Sequence, residues 1–159
     1  MGVSDPNAAV AAVVDTYRNL IEAAAQRHVL DPSMLYAIIH DESGGNPDAY
    51  RVEGKVGDVS VGLMQVLVGT ARELGYGGPV RSLFDPTTNI ELGSQYLAQL
   101  IRKYTNPWLA LVAYNGGPKA VRLYYLGFRR TPAVGYANRV WTLTMYYQRR
   151  EAAFHGPGR

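Results

Sequence analysis

The chain has 159 residues, of which 47% are apolar and 18% are charged. This size and composition suit one folded domain and exclude a disordered chain. The absence of cysteine excludes disulfide frameworks, thiolate catalysis and cysteine metal sites. No apolar run approaches the length of a transmembrane helix, so we expect no membrane span.

The net charge of +3 is unevenly distributed along the chain. Residues 1–117 carry 8 Lys/Arg and 12 Asp/Glu, whereas residues 118–159 carry 8 Lys/Arg and a single Glu. The basic C-terminal quarter is either a solvated helix surface or a surface attracted to a polyanion such as a cell envelope. We expect no nucleic acid partner, because no recognised binding motif accompanies the charge.

The N-terminal segment has the pattern of an amphipathic helix rather than of a signal peptide. Asp5 stands where a signal peptide carries Lys or Arg. Apolar residues then recur at spacings of three and four from Val10 to Ala24. We expect no signal peptide in this chain, so that either an export signal has been removed or the protein reaches its target by another route.

Five prolines that follow a residue able to cap a helix N-terminus predict helix starts: Asp5-Pro6, Asp31-Pro32, Asp85-Pro86, Asn106-Pro107 and Thr131-Pro132. A capping box at Thr70–Glu73 predicts a further start. With the apolar periodicity, these signals predict helices near residues 6–27, 32–43, 71–75, 86–104, 107–114, 118–126 and 132–153. Only residues 56–61 hint at a strand, so the fold is predicted to be mostly or wholly α-helical. The polar stretch 44–60 is the one long irregular segment, and we expect it to be functional.

Glu42 is a charged residue on an apolar helix face. Leu35, Ile38 and Ile39 form the apolar stripe of the predicted helix 32–43, and Glu42 follows them at seven, four and three residues. Burial would raise its carboxyl pKa and keep it protonated near neutral pH, as a general acid requires. Alternatively, the glutamate is satisfied by a buried partner or reaches solvent at the helix end.

Other catalytic patterns are weak. His28, His40 and His155 have no metal-ligand spacing, and Ser60 lacks the flanking glycine and strand of a nucleophile elbow. We therefore expect no metal and no cofactor. The twelve tyrosines and two tryptophans suit either sugar binding or core packing.

Five motifs over about residues 28–145 resemble those of the soluble lytic transglycosylase family, in order and at compatible spacings. They are His40–Ala49 with its Glu42-Ser43 pair, Ser60–Gln65 with Gly-Leu-Met-Gln, Leu83–Leu97 with Phe-Asp-Pro and Asn-Ile, Ala113–Pro118 with Ala-Tyr-Asn-Gly-Gly, and Tyr136 after the Thr131-Pro132 turn. The resemblance implies a lysozyme-like all-α domain that cleaves the MurNAc-β-1,4-GlcNAc bond of peptidoglycan. It also implies Glu42 as the single catalytic acid/base and a 1,6-anhydroMurNAc product.

The resemblance further implies a substrate-binding set around Glu42: Ser43, Ser60, Met64, Gln65, Tyr114, Asn115 and Tyr136. In this pattern Ser60 and Gln65 contact the N-acetylmuramyl group, and Tyr136 holds Glu42. Met64 forms either the cleft wall or the core. The long segment 50–58 departs from the family pattern, so its contribution to the cleft is open.

Two other functions remain open at this stage. A goose-type lysozyme would hydrolyse the same bond, with Asp41, Glu53 or Asp58 activating water. A catalytically silent glycan-binding part of a virion or secretion system is a rival from another class, against which the Glu42-Ser43 signature argues.

The resemblance also sets expectations for organisation and location. We expect residues 1–27 to pack on the domain as an N-terminal helix, residues 28–153 to form the catalytic domain, and residues 154–159 to be a flexible tail. The expected partner is the glycan strand of peptidoglycan, with a larger envelope, secretion or virion assembly as a further one. The protein is then expected to act outside the cytoplasm, on the cell wall.

Overall fold

The computed structural model describes residues 5–55 and 57–155. Within this part of the chain there are seven α-helices and one short 3₁₀-helix, Val80–Phe84. The α-helices are α1 Ala8–Asp15, α2 Arg18–His28, α3 Pro32–Ser43, α4 Val68–Glu73, α5 Pro86–Tyr104, α6 Pro107–Tyr125 and α7 Pro132–His155. The predicted helical fold class is confirmed. None of the helices in the described ranges is long and apolar enough to cross a membrane.

The predicted proline-linked helix starts are confirmed at α3, α5, α6 and α7. The side chains of Asp31, Asp85 and Asn106 accept hydrogen bonds from amides in the first turns of α3, α5 and α6. The hydroxyl of Thr131 accepts one from the amide of Val134 in α7. Each proline occupies a position whose amide would otherwise lack a helical partner.

Two helix predictions are wrong in detail. The predicted helix 6–27 is broken at Thr16 and Tyr17, where the Thr16 hydroxyl donates to the carbonyl of Val13 at 2.7 Å. The capping box does not form, because α4 begins at Val68 and Thr70 lies inside it. At the other end of the chain α7 continues to His155, and residues 156–159 of the predicted tail lie outside the described residues.

The segment predicted to be irregular contains an antiparallel hairpin. Strand β1, Tyr50–Glu53, pairs with β2, Asp58–Val61, which pairs in turn with β3, Val66–Leu67. The first strand is mostly exposed on both faces. Its four residues, Tyr-Arg-Val-Glu, do alternate apolar and polar side chains, but so short an alternation is weak evidence for a strand. The hairpin brings Arg51 opposite Ser60.

Helix α3 lies at the centre of the domain. Every residue from Ser33 to Ile39 is buried, and α1, α2 and α7 pack around this helix. Helix α6 packs between α5 and α7 and has a kink at Gly117, whose φ of 67° suits glycine, before it continues at Pro118. The kink explains why the sequence predicts two helices there. The C-terminal end of α3 thus meets both the hairpin and α7.

Candidate active site

A cavity of about 910 Å³ opens beside the C-terminal end of α3. The hairpin forms one wall, and α6 with the start of α7 forms the other. Glu42 lines this cavity, as do Ser60, Gln65, Tyr114 and Asn115. Five of the eight residues named from the sequence therefore meet in one place.

Glu42 is the most perturbed acid of the cavity. Its side chain is only 8% exposed, in agreement with its position on the apolar face of α3. Burial raises the pKa of Glu42 to about 7, whereas the Tyr136 hydroxyl and the Arg51 guanidinium lower it in part. A substantial fraction of the carboxyl is therefore protonated near neutral pH and can donate a proton to a buried substrate atom.

Arg51 connects Glu42 to the hairpin. Its Nη2 lies 3.5 Å from Glu42 Oε2 and donates to Gln65 Oε1 at 3.4 Å. Its Nη1 lies 3.8 Å from Glu53 Oε1. These contacts are long, and the side chain is 53% exposed, so the guanidinium is shared among three acceptors rather than fixed on one.

Replacing Arg51 by methionine is expected to move the alkaline limb of the pH–activity profile upward. We expect this limb to follow the loss of the Glu42 proton, and removal of the neighbouring positive charge should raise the pKa of Glu42 above its value of about 7. Initial rates against pH measure the shift. Lys55→Met is the matched control, because Lys55 lines the same cavity without an ion pair to Glu42. Equal profiles for the two variants would contradict the assigned role of Arg51.

Tyr136 lies behind Glu42 and belongs to a group of three tyrosines. Its ring stacks on Tyr114 at 6.5 Å between centroids, and Tyr114 contacts Tyr96 at 5.3 Å. The Tyr136 side chain is buried, and burial raises its pKa well above the ordinary value, as it does for Tyr114. Both phenols therefore stay protonated and remain hydrogen-bond donors.

The contact between Tyr136 and Glu42 is loose. The hydroxyl of Tyr136 lowers the pKa of Glu42, yet it makes no hydrogen bond of ordinary length and angle within the described residues. This buried hydroxyl is therefore poised near the carboxyl without a formed hydrogen bond. Catalytic hydrogen bonds are often long or poorly aligned until the substrate is bound.

Replacing Tyr136 by phenylalanine is expected to leave stability within about 1 kcal/mol, because the hydroxyl has no formed partner among the described residues. Turnover is expected to fall clearly and the alkaline limb to move upward, since a hydroxyl near the Glu42 carboxyl that lowers its pKa is lost. Tyr36→Phe is the matched control, because it removes another buried hydroxyl that has no hydrogen-bond partner among the described residues, in α3 and outside the cavity lining. Unchanged turnover and pH profile in Tyr136→Phe would reduce Tyr136 to a core residue.

Ser60 and Gln65 form a polar wall opposite α6. The Ser60 hydroxyl lies 3.0 Å from Glu53 Oε1 and 3.1 Å from Gln65 Oε1 and can donate to one of them at a time. The side-chain nitrogen of Gln65 donates to the carbonyls of Ala49 and Gly62, both at 3.0 Å. Gln65 has a φ of 48°, the left-handed conformation that costs a non-glycine residue energy and often marks a functional site.

Ser43 and Met64 lie outside the cavity lining, in contrast to the binding roles expected from the sequence. The Ser43 hydroxyl donates to the carbonyl of Leu63 at 2.8 Å and so ties the end of α3 to the turn before β3. Met64 is fully buried, and a Cβ on Gly93 would overlap its side chain. We assign Ser43 to positioning and Met64 to packing, while the Met64 carbonyl accepts a hydrogen bond from Tyr114 at 2.9 Å.

The three acids considered as the water-activating residue of a hydrolase lie in different places in the structure. Asp41 forms two hydrogen bonds with Arg139, at 2.9 and 3.0 Å, and Asp58 accepts from the amides of Val59 and Gly69. Neither lines the cavity. Glu53 does, next to Ser60.

Sequence reasoning missed several residues that line the cavity: Arg51, Lys55, Leu67, Tyr96, Lys119, Leu123, Thr131, Pro132 and Ala133. The first two lie on the hairpin, whose unusual length was the only signal available. In residues 5–55 and 57–155 no cluster of three or more His, Asp or Glu side chains could hold a metal ion.

Similar proteins are known. The family model of the transglycosylase SLT domain matches residues 19–129. The transglycosylase of Enterobacteria phage PRD1 is 38% identical over 97 residues, which are 61% of this chain and 33% of that protein. Membrane-bound lytic murein transglycosylase C of Serratia proteamaculans is 36% identical over 137 residues, with 77% of this chain and 37% of that protein covered. The chain thus spans about a third of the length of these curated relatives.

The fold is also similar to that of a solved structure. The X-ray structure of an inactive mutant of the lytic transglycosylase Slt from Pseudomonas aeruginosa has a TM-score of 0.73 at 27% identity. The similarity covers 86% of this chain and 24% of that one. The expected resemblance is therefore confirmed: this chain belongs to the transglycosylase SLT domain family, the soluble lytic transglycosylases with a lysozyme-like helical fold.

Proposed function

We propose that this domain is a peptidoglycan lytic transglycosylase that cleaves the MurNAc-β-1,4-GlcNAc bond and leaves a 1,6-anhydroMurNAc end. The observation that carries the proposal is Glu42, a buried carboxyl with a pKa raised to about 7 in the wall of a cavity large enough for sugar rings. The relatives are named transglycosylase and lytic murein transglycosylase, and these names support the reaction class. The Pseudomonas Slt crystallised as an inactive glutamate-to-glutamine mutant, which supports a single essential glutamate.

The proposed reaction uses one carboxyl group twice. Protonated Glu42 donates to the glycosidic oxygen as the bond from C1 to that oxygen breaks, and the N-acetyl carbonyl of the substrate stabilises the positive C1. The Glu42 carboxylate then takes the proton of the C6 hydroxyl, whose oxygen forms the new bond to C1. Atoms balance without water, and Glu42 returns to its protonated state. Ordinary glycosidases need a second carboxylate, and this reaction does not.

The remaining cavity residues are proposed to hold the sugar in place. Ser60 offers its hydroxyl and Gln65 its side-chain oxygen to the N-acetylmuramyl group from the hairpin side, since the side-chain nitrogen of Gln65 already donates to the carbonyls of Ala49 and Gly62. Tyr114 and Asn115 line the opposite wall. Tyr136 is proposed to aim Glu42 from behind, since its buried hydroxyl lies near the carboxyl and has no formed partner among the described residues.

Hydrolysis is the second candidate, because Glu53 is a further carboxylate in the cavity. It shares Arg51 with Glu42 and would have to activate a water molecule. Mass spectrometry of muropeptides released from purified peptidoglycan separates the two reactions. A 1,6-anhydro end supports the lyase, and a product heavier by one water supports the hydrolase. Glu53→Gln is expected to retain cleavage if the lyase proposal holds and to lose it if Glu53 is a catalytic base.

The proposed substrate sets the proposed place of action, which is the cell wall outside the cytoplasm. The name of the phage PRD1 relative also supports a virion assembly as a partner. We further propose that residues 28–153 carry catalysis. The N-terminal residues pack on that part, since α1 contacts α3 and α2 contacts α5.

A further inference from the structure

Three large apolar side chains are exposed where α6 ends. Tyr125 is 67% exposed, Leu126 64% and Phe128 58%. We call residues 122–130 the α6 tip. They comprise the last turn of α6 and most of the segment that leads to α7. Three exposed apolar side chains within four residues form a cluster rather than the scattered exposure that is normal for soluble proteins.

The backbone of the tip is held by hydrogen bonds. Gly127, with a φ of 95°, donates to the carbonyl of Tyr124, and Phe128 donates to the carbonyl of Leu123, both at 3.0 Å. This is the Schellman arrangement, in which the residue after the glycine usually packs on the helix. Phe128 nevertheless stays exposed. The apolar side chains therefore project from a fixed helix end.

The charges around the tip are all positive. Arg122, Arg129 and Arg130 are exposed, and the Arg129 guanidinium lies 3.9 Å from the ring centroid of Tyr124. Residues 118–150 contain no Asp or Glu. Two arginines of α7, Arg139 and Arg150, are paired with Asp41 and Asp15. The tip arginines have no comparable acidic partner among the described residues.

We propose that the α6 tip docks on an anionic lipid bilayer, with Leu126 and Phe128 in the headgroup region and the arginines on the lipid phosphates. Apolar and aromatic side chains flanked by arginines suit the membrane interface. A purely charged wall polymer would use the arginines but leave Leu126 and Phe128 in water.

The tip adjoins the cavity. The cavity wall includes Lys119 and Leu123 of α6 and Thr131, which directly precedes α7. Docking would therefore hold the mouth of the cavity beside the membrane surface. The inference does not depend on the proposed reaction, because lipid binding can be measured without cleavage.

Vesicle co-sedimentation tests the proposal. We expect the protein to partition onto vesicles containing about one-third phosphatidylglycerol and not onto pure phosphatidylcholine, and to dissociate at about 1 M salt, where charge attraction is screened within about 3 Å. Arg129→Gln/Arg130→Gln should weaken partitioning about 20- to 30-fold, at about fivefold for each arginine. Leu126→Ser/Phe128→Ser should weaken it about tenfold or more.

Two controls match these variants. Arg102→Gln/Lys103→Gln removes two adjacent cations at the end of α5, one of them over a tyrosine ring, and Phe154→Ser removes an 83% exposed ring from the far end of α7. Both should partition like the original protein. Partitioning that is equal for tip variants and controls, or absent on anionic vesicles, would overturn the proposal. Tip-dependent binding to lipid-free cell walls alone, or tip-dependent self-association alone, would overturn it too.

Discussion

Replacing Glu42 by glutamine is expected to lower peptidoglycan cleavage by at least ~10²–10⁴-fold, the range typical of general acid–base catalysis. The amide keeps the size of the side chain but has no acidic proton to donate. Release of muropeptides from purified cell walls measures the loss. Lysis close to that of the original protein would contradict the proposed mechanism.

The same substitution is expected to raise stability, and the sign of this effect follows from the raised pKa of Glu42. In the folded protein this pKa is about 7, above the ordinary 4.5, so the folded state binds the proton more tightly than the unfolded state. Stability therefore falls as pH rises from about 4.5 to about 7. Glutamine removes this dependence and is expected to stabilise the protein above pH 7, by up to about 3 kcal/mol. Urea unfolding at acidic and alkaline pH measures the difference.

Asp41→Asn is the matched control for Glu42→Gln. It makes the same chemical change on the neighbouring residue, whose carboxylate faces Arg139 outside the cavity. We expect cleavage to change little, and stability to fall by about 1 kcal/mol or less, as is typical of an exposed ion pair. A loss of cleavage as large as that of Glu42→Gln would mean that removing either carboxylate at the end of α3 impairs cleavage, and that loss of the Glu42 proton is not the specific cause.

The sequence could predict Glu42 because its signal is local. Helix periodicity alone puts this residue on the apolar stripe of α3, and the cap at Asp31 fixes where that helix starts. The side chain is indeed buried. Most helices were predictable for the same reason, since caps and prolines act within one turn.

The hairpin could not be predicted, because its residues are determined by distant contacts. Arg51 reaches Glu42 only after β1 pairs with β2, and the alternation of apolar and polar residues in β1 covers only four positions, three of them exposed. Met64 is a second example: its burial depends on Gly93 of α5, which lacks a side chain where the two meet. The predicted capping box at Thr70 does not form for a related reason: α4 starts directly after β3, so that the threonine lies inside the helix.

Asn89 connects these distant parts. It is fully buried in α5, and its side chain accepts from the amide of Met64 at 2.8 Å while donating to the carbonyls of Val61 and Leu83, both at 2.8 Å. A Cβ on Gly62 would overlap the Asn89 side chain. One amide group thus holds the turn between β2 and β3, which carries the polar wall of the cavity.

Replacing Asn89 by alanine is expected to destabilise the protein by about 3–5 kcal/mol. Three backbone groups would lose their partner in a buried place, and each unsatisfied group costs about 1–3 kcal/mol. Ser94→Ala is the matched control in the same helix, because the buried Ser94 hydroxyl has no hydrogen-bond partner within residues 5–55 and 57–155, and its removal should be neutral or stabilising. Urea unfolding compares the two variants. Cleavage by Asn89→Ala should also fall under conditions where it remains folded, since the turn that carries Gln65 loosens. A loss of stability below about 1 kcal/mol would mean that water or a neighbouring group replaces the amide, and that the turn does not depend on Asn89.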